Sequence, residues 1–259
     1  MNRSFQFSLE SDRGREFGLP HFEVWQSIPS TNDRARELAV GGALRGSLVL
    51  GGEQTEGRGR HGARWLSGQG KGVWMSLVLG DRDVATQLPL LVGIACAEVI
   101  EELAGVRVSI KWPNDLVVEG RKLGGILIET GDGWVVAGIG VNVGEAPTES
   151  LQGVDVRSLP ATSIAEHSVR FPDIPVIAGH FAQRILKWLD AYEGVDRVVD
   201  HFSLRDALRD LPVDTDEHGT GIARGIDECG MLLLEIGDGS IVRVRSGSVR
   251  AIKQSAKEE

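Results

Sequence analysis

Cysteine is scarce. Cys96 and Cys229 stand far apart and form no Cys-x-x-Cys pair, which excludes a disulfide framework and a thiolate metal site. Two lone thiols fit a reducing compartment, so a cytoplasmic location is expected. The six histidines are scattered, and none has a second at metal-binding spacing. No apolar run approaches the ~20 residues of a membrane span. The opening residues, Met1 to Phe7, lack the apolar core of a signal peptide. No Gly-x-Ser-x-Gly elbow is present and no Ser-His-Asp set stands out. Cations are in deficit, 28 Lys and Arg against 37 Asp and Glu, for a net charge of -9. That balance argues against a general nucleic-acid binder. There are no internal repeats.

Against the acidic background, residues 57–64 reverse the sign. Gly57-Arg58-Gly59-Arg60-His61-Gly62-Ala63-Arg64 packs three glycines and three arginines into eight residues, with no acid until Asp81. Glycine permits close backbone approach, and arginine offers a planar charged fork for carboxylate or phosphate oxygens. The combination suggests a mobile loop that closes on a small anionic ligand. Gly57-x-Gly59-x-x-Gly62 formally matches a dinucleotide fingerprint, but that motif needs a helix opening at its third glycine. Here a β-rich run follows instead. Gly70-Lys71 fails as a P-loop because Gly72 stands where Ser or Thr is required.

Periodicity and turn residues divide the chain. Strands are expected over His21–Ile28, Ser47–Gln54, Gly72–Leu79, Val106–Lys111, Leu116–Val118, Lys122–Glu129 and Trp134–Val143. Helices are expected after Ser30-Thr31 up to Val40, over Leu88–Leu103, over Pro175–Tyr192 and over Val195–Arg209. Residues 144–162 read as a loop. Short turns between neighbouring strands imply a largely antiparallel or mixed sheet. Beyond Pro212, short alternating strands around glycine turns have the texture of a small barrel-like β domain.

Four further segments accompany the loop: Ser30-Thr31-Asn32 at a helix start; Gln54; Lys111-Trp112-Pro113-Asn114-Asp115 with Arg121-Lys122-Leu123-Gly124-Gly125; and Gly138-Ile139-Gly140-Val141-Asn142-Val143. In order and spacing they resemble the biotin–protein ligases, over about residues 22–255. The resemblance implies an α+β catalytic domain, residues 1–210, with a mixed β-sheet flanked by helices like that of class II aminoacyl-tRNA synthetases. It implies a C-terminal SH3-like β-barrel over 211–259. It also implies a two-step reaction: biotin and MgATP give biotinyl-5′-AMP and pyrophosphate, then a lysine of a biotin carboxyl carrier domain takes the biotinyl group.

The residues suit that chemistry. A carboxylate attacking a triphosphate needs cations to hold the two together. By resemblance, Lys122 is the main catalytic residue, with Arg60 and Lys111 beside it. Ser30, Thr31, Gln54, Gly57, Arg58 and Lys122 are implied at biotin. Arg58, Arg60, Trp65, Lys111, Asn114 and Asn142 are implied at ATP and the adenylate. Asp115 is one hard oxygen ligand for Mg²⁺. Trp65 and Trp74 are candidate apolar companions of the biotin ring. Arg121 reads as surface charge and receives no role.

Two departures from the family pattern stand out. Ala63 occupies the place of a third patterned arginine, with Arg64 one position later, so either adenylate retention is looser or Arg64 reaches by another path. About 20 residues precede the first expected core strand, too few for the helix-turn-helix domain that some members carry, so no DNA partner is expected. The rival readings are a lipoate or octanoyl ligase of related fold and a non-catalytic biotin sensor.

Overall fold

The computed structural model describes residues 7–9, 11–80, 87–147, 159–191 and 196–252. Strand β1 (Phe7–Leu9) and helix α1 (Ser11–Glu16) lie ahead of the first strand expected from sequence. β1 pairs antiparallel with β2 (Phe22–Trp25), so the sheet begins earlier than expected. Helix α2 (Thr31–Val40) starts at Ser30, whose hydroxyl accepts from the Asp33 N–H, and ends at Gly41. There follow β3 (Leu48–Gly51), β4 (Gly72–Gly80), α3 (Leu88–Ala104), β5 (Ser109–Lys111), β6 (Asp115–Val118), β7 (Arg121–Gly131) and β8 (Trp134–Asn142). The eight strands form one mixed sheet in the order β1-β2-β3-β4-β8-β7-β6-β5. Only β2 and β3 run parallel among the described pairs.

The period of two along each strand separates the sheet's faces. On the back face, Val73, Met75, Leu77 and Leu79 of β4 join Val135, Ala137, Ile139 and Val141 of β8 in the main core. α3 and α4 (Ile174–Asp190) contribute to the same core, with Leu90, Ile94, Phe181 and Ile185 fully buried. The front face carries α2, under which Ile28, Ala35, Val49, Val78 and Val136 form a smaller cluster. The residues alternating with the back-face set, Trp74, Ser76, Gly138, Gly140 and Asn142, therefore point to the front.

One expected element is shorter than its sequence pattern. In place of a helix over Val195–Arg209, α5 covers Asp196–Ser203. The chain then leaves the helix to satisfy the outer edge of β5. The Ile110 N–H donates to the Arg205 carbonyl at 2.6 Å, and the Ala207 N–H donates to the Ile110 carbonyl at 3.0 Å. These bonds pair the backbone groups of buried Ile110 that would otherwise lack partners. Most of the expected 144–162 loop lies outside the described residues.

Strands β9 (Pro212–Thr215), β10 (Gly219–Ile226), β11 (Leu232–Glu235), β12 (Ile241–Val244) and β13 (Val249–Ala251) form a second antiparallel sheet in the order β12-β11-β10-β9-β13. Its buried residues, among them Val213, Leu232 and Leu234, belong to the main core cluster. The Trp112 indole N–H donates to the Gly230 carbonyl at 2.9 Å, tying the second sheet to the β5–β6 turn.

Candidate active site

Ladder register places Lys111, Asp115, Gly125, Gly140, Trp74 and Gly51 opposite one another in a single row across five strands and onto a sixth. Paired residues share a face, so the row lies on the front. Lys122, paired with Val117 two positions along β6, shares that face only because of a bulge. Leu116 faces Gly124 while Val117 faces Lys122, so Leu123 is skipped. Lys122 and Gly125 are three positions apart, and an unbroken strand would turn them to opposite faces. The bulge brings Lys122 back to the front.

Its ammonium donates to Asp115 Oδ1 at 2.6 Å, and the ammonium of Lys111 lies 3.8 Å from Asp115 Oδ2. One carboxylate thus holds two cations together. Burial pushes the Lys111 pKa down, the charge of Asp115 opposes that, and the charge of Lys122 adds to the fall. Arg60 reaches the same corner, donating to Asn114 Oδ1 at 3.2 Å. Burial lowers its pKa, and Asp115 partly offsets this. Desolvated cations exert stronger fields on an incoming anion than exposed ones. Asn114 is itself fixed, its amide donating to the Ile126 carbonyl at 3.1 Å.

The Gly/Arg segment folds as a tight hairpin. The Trp65 N–H donates to the Gly57 carbonyl at 2.9 Å and the Gly59 N–H to the Ala63 carbonyl at 2.7 Å. At its tip, His61 and Gly62 take left-handed conformations, φ 54 and 75°. Arg58 forms a fork with Asp33, at 2.7 and 2.9 Å, and lies 3.5 Å from Glu129. Arg64 is exposed on this hairpin. The Trp65 ring stands above the sheet, 5.4 Å from the Lys122 ammonium. A Cβ on Gly140 would come within 2.6 Å of its indole, so that glycine makes room for the ring. The indole nitrogen is buried without a partner. Trp74 does not line the cleft: it is 1% exposed and donates to the Gly68 carbonyl, so it belongs to the packing beneath.

At the start of α2 a buried polar cluster is built from small groups. The backbone N–H and hydroxyl of Thr31 both donate to Gln54 Oε1, at 2.9 and 3.0 Å. The Gln54 amide donates to Ser67 Oγ at 2.9 Å. Ser76 lies 2.8 Å from the Thr31 hydroxyl, and Asn32 donates to Glu129 at 2.8 Å. A Cβ on Gly138 would fall 2.3 Å from Asn32 Oδ1. At the far end of β8, Asn142 donates to the Thr162 carbonyl at 2.9 Å, while its Oδ1 is buried and unpartnered.

The expected residues therefore fall into adjoining groups: Ser30, Thr31 and Gln54 at the helix start; Gly57 and Arg58 in the hairpin; Arg60, Asn114, Lys111, Asp115 and Lys122 at one corner, with Trp65 beside Lys122; and Asn142 at the end of β8. Sequence reasoning gave no role to Asp33, Ser67, Ser76, Glu129 or Thr162. Each is an ordinary polar residue whose partner is distant in sequence. For Mg²⁺, no cluster of three acidic, histidine or cysteine side chains exists among the described residues. Among the described residues Asp115 is the one carboxylate of the cationic corner, and it retains lone pairs beyond those used by the lysines. That suits a metal held mostly by phosphate oxygens and water.

Two family models match, the Biotin/lipoate A/B protein ligase family over residues 24–144 and the Biotin protein ligase C terminal domain over residues 213–250. The biotin--[acetyl-CoA-carboxylase] ligase of Mycobacterium tuberculosis is 33% identical over 251 residues, covering 91% of each chain. The chain belongs to the biotin–protein ligase family. The bifunctional ligase/repressor BirA of Bacillus subtilis is 34% identical over 230 residues, 85% of this chain and 70% of that protein. Among solved structures, the biotin–protein ligase from Aquifex aeolicus in complex with biotin and ATP superposes with a TM-score of 0.79 at 26% identity. That match covers 90% of this chain and all of the other.

Proposed function

We propose that this biotin–protein ligase activates biotin on ATP and passes it to a lysine of a biotin carboxyl carrier domain. The observation that carries the reading is the cationic corner of Lys111, Lys122 and Arg60 gathered around Asp115, next to a glycine floor and a small polar cluster. In the first step a biotin carboxylate oxygen attacks the α-phosphorus and pyrophosphate leaves. Lys122 draws the carboxylate and the α-phosphate together, and Lys111 and Arg60 spread the charge that develops on the phosphoryl oxygens. Mg²⁺, held by Asp115, would neutralise phosphate charge. In the second step the acceptor lysine amine attacks the acyl carbon, AMP leaves, and the amine's proton passes to solvent.

Thr31, Ser30 and Gln54 offer hydroxyl and amide groups to a ureido ring with two N–H donors and one carbonyl. The unpartnered Oδ1 of Asn142 offers an acceptor to an adenine amino group. The Trp65 hairpin covers the corner and keeps water from the mixed anhydride. Residues 1–210 form the catalytic unit and 211–259 the SH3-like unit. No helix among the described residues is long and apolar enough to cross a membrane, and a cytoplasmic site of action accords with the low cysteine content, two in the whole sequence. The net charge of -9 gives no support to a DNA partner.

The test is transfer. The chain, biotin, MgATP and a purified carrier domain are mixed, and the intact mass of the carrier is read. A gain of one biotinyl group is expected with biotin and none with lipoate. A gain with lipoate alone, or no gain with either acid, overturns the reading.

A further inference from the structure

Lys122 is held by a segment that contributes no side chain to the cationic corner. Its N–H donates to the Pro160 carbonyl at 2.7 Å and its carbonyl accepts from the Thr162 N–H at 2.9 Å, a single parallel bridge. The next carbonyl of this strap, Ala161, accepts from Arg121 Nη2 at 2.7 Å. The other arm of Arg121 reaches Glu166 at 2.7 Å. Glu166 also closes a capping box on Ser163 over the single turn Ile164–Glu166, its Oε1 accepting from the Ser163 N–H at 3.1 Å. Thr162 and Ser163 are fully buried. The strap touches the site a second time, because the Thr162 carbonyl is the acceptor for the Asn142 amide. Two residues of the site on neighbouring strands, Lys122 and Asn142, thus share one support, Thr162, and the Arg121–Glu166 pair clamps it.

We propose that Arg121 and Glu166 are positioning residues that set the distance between Lys122 and Asn142, and so between the α-phosphate and adenine ends of the bound nucleotide. The inference rests on the ligase reading above. Lys122 lies beyond the last β7–β8 pair, Gly124 with Val141, and the strap supplies its backbone partners where β8 no longer does. Arg121 is suited to the task because its fork serves a carbonyl and a carboxylate at once. Lysine, with a single point of charge, keeps the partner carboxylate but not both bonds.

Biotin-dependent exchange of labelled pyrophosphate into ATP is measured for wild type, Arg121→Ala, Arg121→Lys, Glu166→Gln and the double variant Arg121→Ala with Glu166→Gln. Misplacement on the order of 1 Å costs up to about a hundredfold in rate. Arg121→Ala is therefore expected to lose about ten- to a hundredfold in kcat, with a raised KM for ATP. Binding of biotin alone is expected to weaken by less than exchange does, by no more than about tenfold, because Thr31 and Gln54 do not touch the strap although Lys122 does. Arg121→Lys recovers part of the loss, and the double variant is no worse than the poorer single, as members of one linkage are non-additive. Glu166 and Arg121 are both part-exposed, so Glu166→Gln keeps the fold and tests the same linkage.

Unchanged exchange in Arg121→Ala and Glu166→Gln overturns the inference. So does an equal loss of biotin binding and exchange, which would mark general destabilisation. Absence of exchange in the wild type strikes the ligase reading instead.

Discussion

The Lys122 ammonium lies 2.6 Å from Asp115 although a regular strand would turn the two to opposite faces of the sheet. The skipped Leu123 is what reconciles them, and it is fully buried on the far side. Asp115 is the anion shared by Lys122 and Lys111. Asp115→Asn leaves two cations facing each other with no charge between them. Pyrophosphate exchange is expected to fall by about a hundredfold, with a small change in thermal midpoint. Wild-type exchange in this variant would remove Asp115 from the site.

The glycine floor separates fit from function. A Cβ at Gly140 meets the Trp65 indole at 2.6 Å, whereas at Gly125 the nearest atom is 3.6 Å away. Gly140→Ala is expected to displace Trp65 and cost about 1–3 kcal/mol by overpacking. Gly125→Ala is expected to leave stability within about 0.5 kcal/mol while lowering activity, because its methyl enters the cleft. Urea unfolding and exchange assays on both variants check this. Equal stabilities would show that the ring moves aside without cost.

Arg58 ties the hairpin to α2 through Asp33. The hydrogen bonds from Arg58 hold the Asp33 carboxyl below its usual pKa, against the opposing effect of burial. A depressed carboxylate pKa means the tie is fully formed above the ordinary value and is lost only as pH falls below it. At neutral pH the tie is closed. Asp33→Ala is expected to raise protease cleavage within residues 57–70 about two- to fivefold, the range of a part-exposed ion pair. Biotin with ATP is expected to suppress cleavage in the wild type. Cleavage unaffected by either change would contradict a hairpin that closes on ligand.

Glu23 gives the clearest acid dependence. Burial raises its pKa, but hydrogen bonds from Arg34, His21 and Trp25 outweigh that and bring it to about 2, against 4.5 for an ordinary glutamate. The stability this confers is present above about pH 4.5 and is lost as pH falls toward about 2. Urea midpoints at about pH 5 and about pH 3 are expected to fall further apart in wild type than in Glu23→Gln. Equal slopes would mean that Glu23 titrates alike in folded and unfolded chains.

The sequence made the strands, α2, α3 and α4, and the Gly/Arg loop legible because each is a local pattern. β4 reads as a continuous apolar run because it is covered on both faces, and α2 announces itself through Ser30 and Gly41. The paired glycines Gly138 and Gly140 alternate along one strand and mark the floor beneath Asn32 and Trp65. What sequence could not show depends on partners distant in the chain. The bulge at Leu123 depends on register between two strands. The end of α5 depends on the edge of β5. Asp33, Thr162 and Glu166 are ordinary polar residues until their partners Arg58, Asn142 and Arg121 are placed beside them. β1 is three residues long, too short to carry a period.

The most direct measurement is biotin-dependent pyrophosphate–ATP exchange in the wild type and in Lys122→Ala, with lipoate as the control acid. Exchange with biotin alone, lost or reduced by at least about a hundredfold in the variant, is the expected result. Exchange that survives Lys122→Ala unchanged, or that requires lipoate in place of biotin, would contradict the assignment of Lys122 to biotin activation.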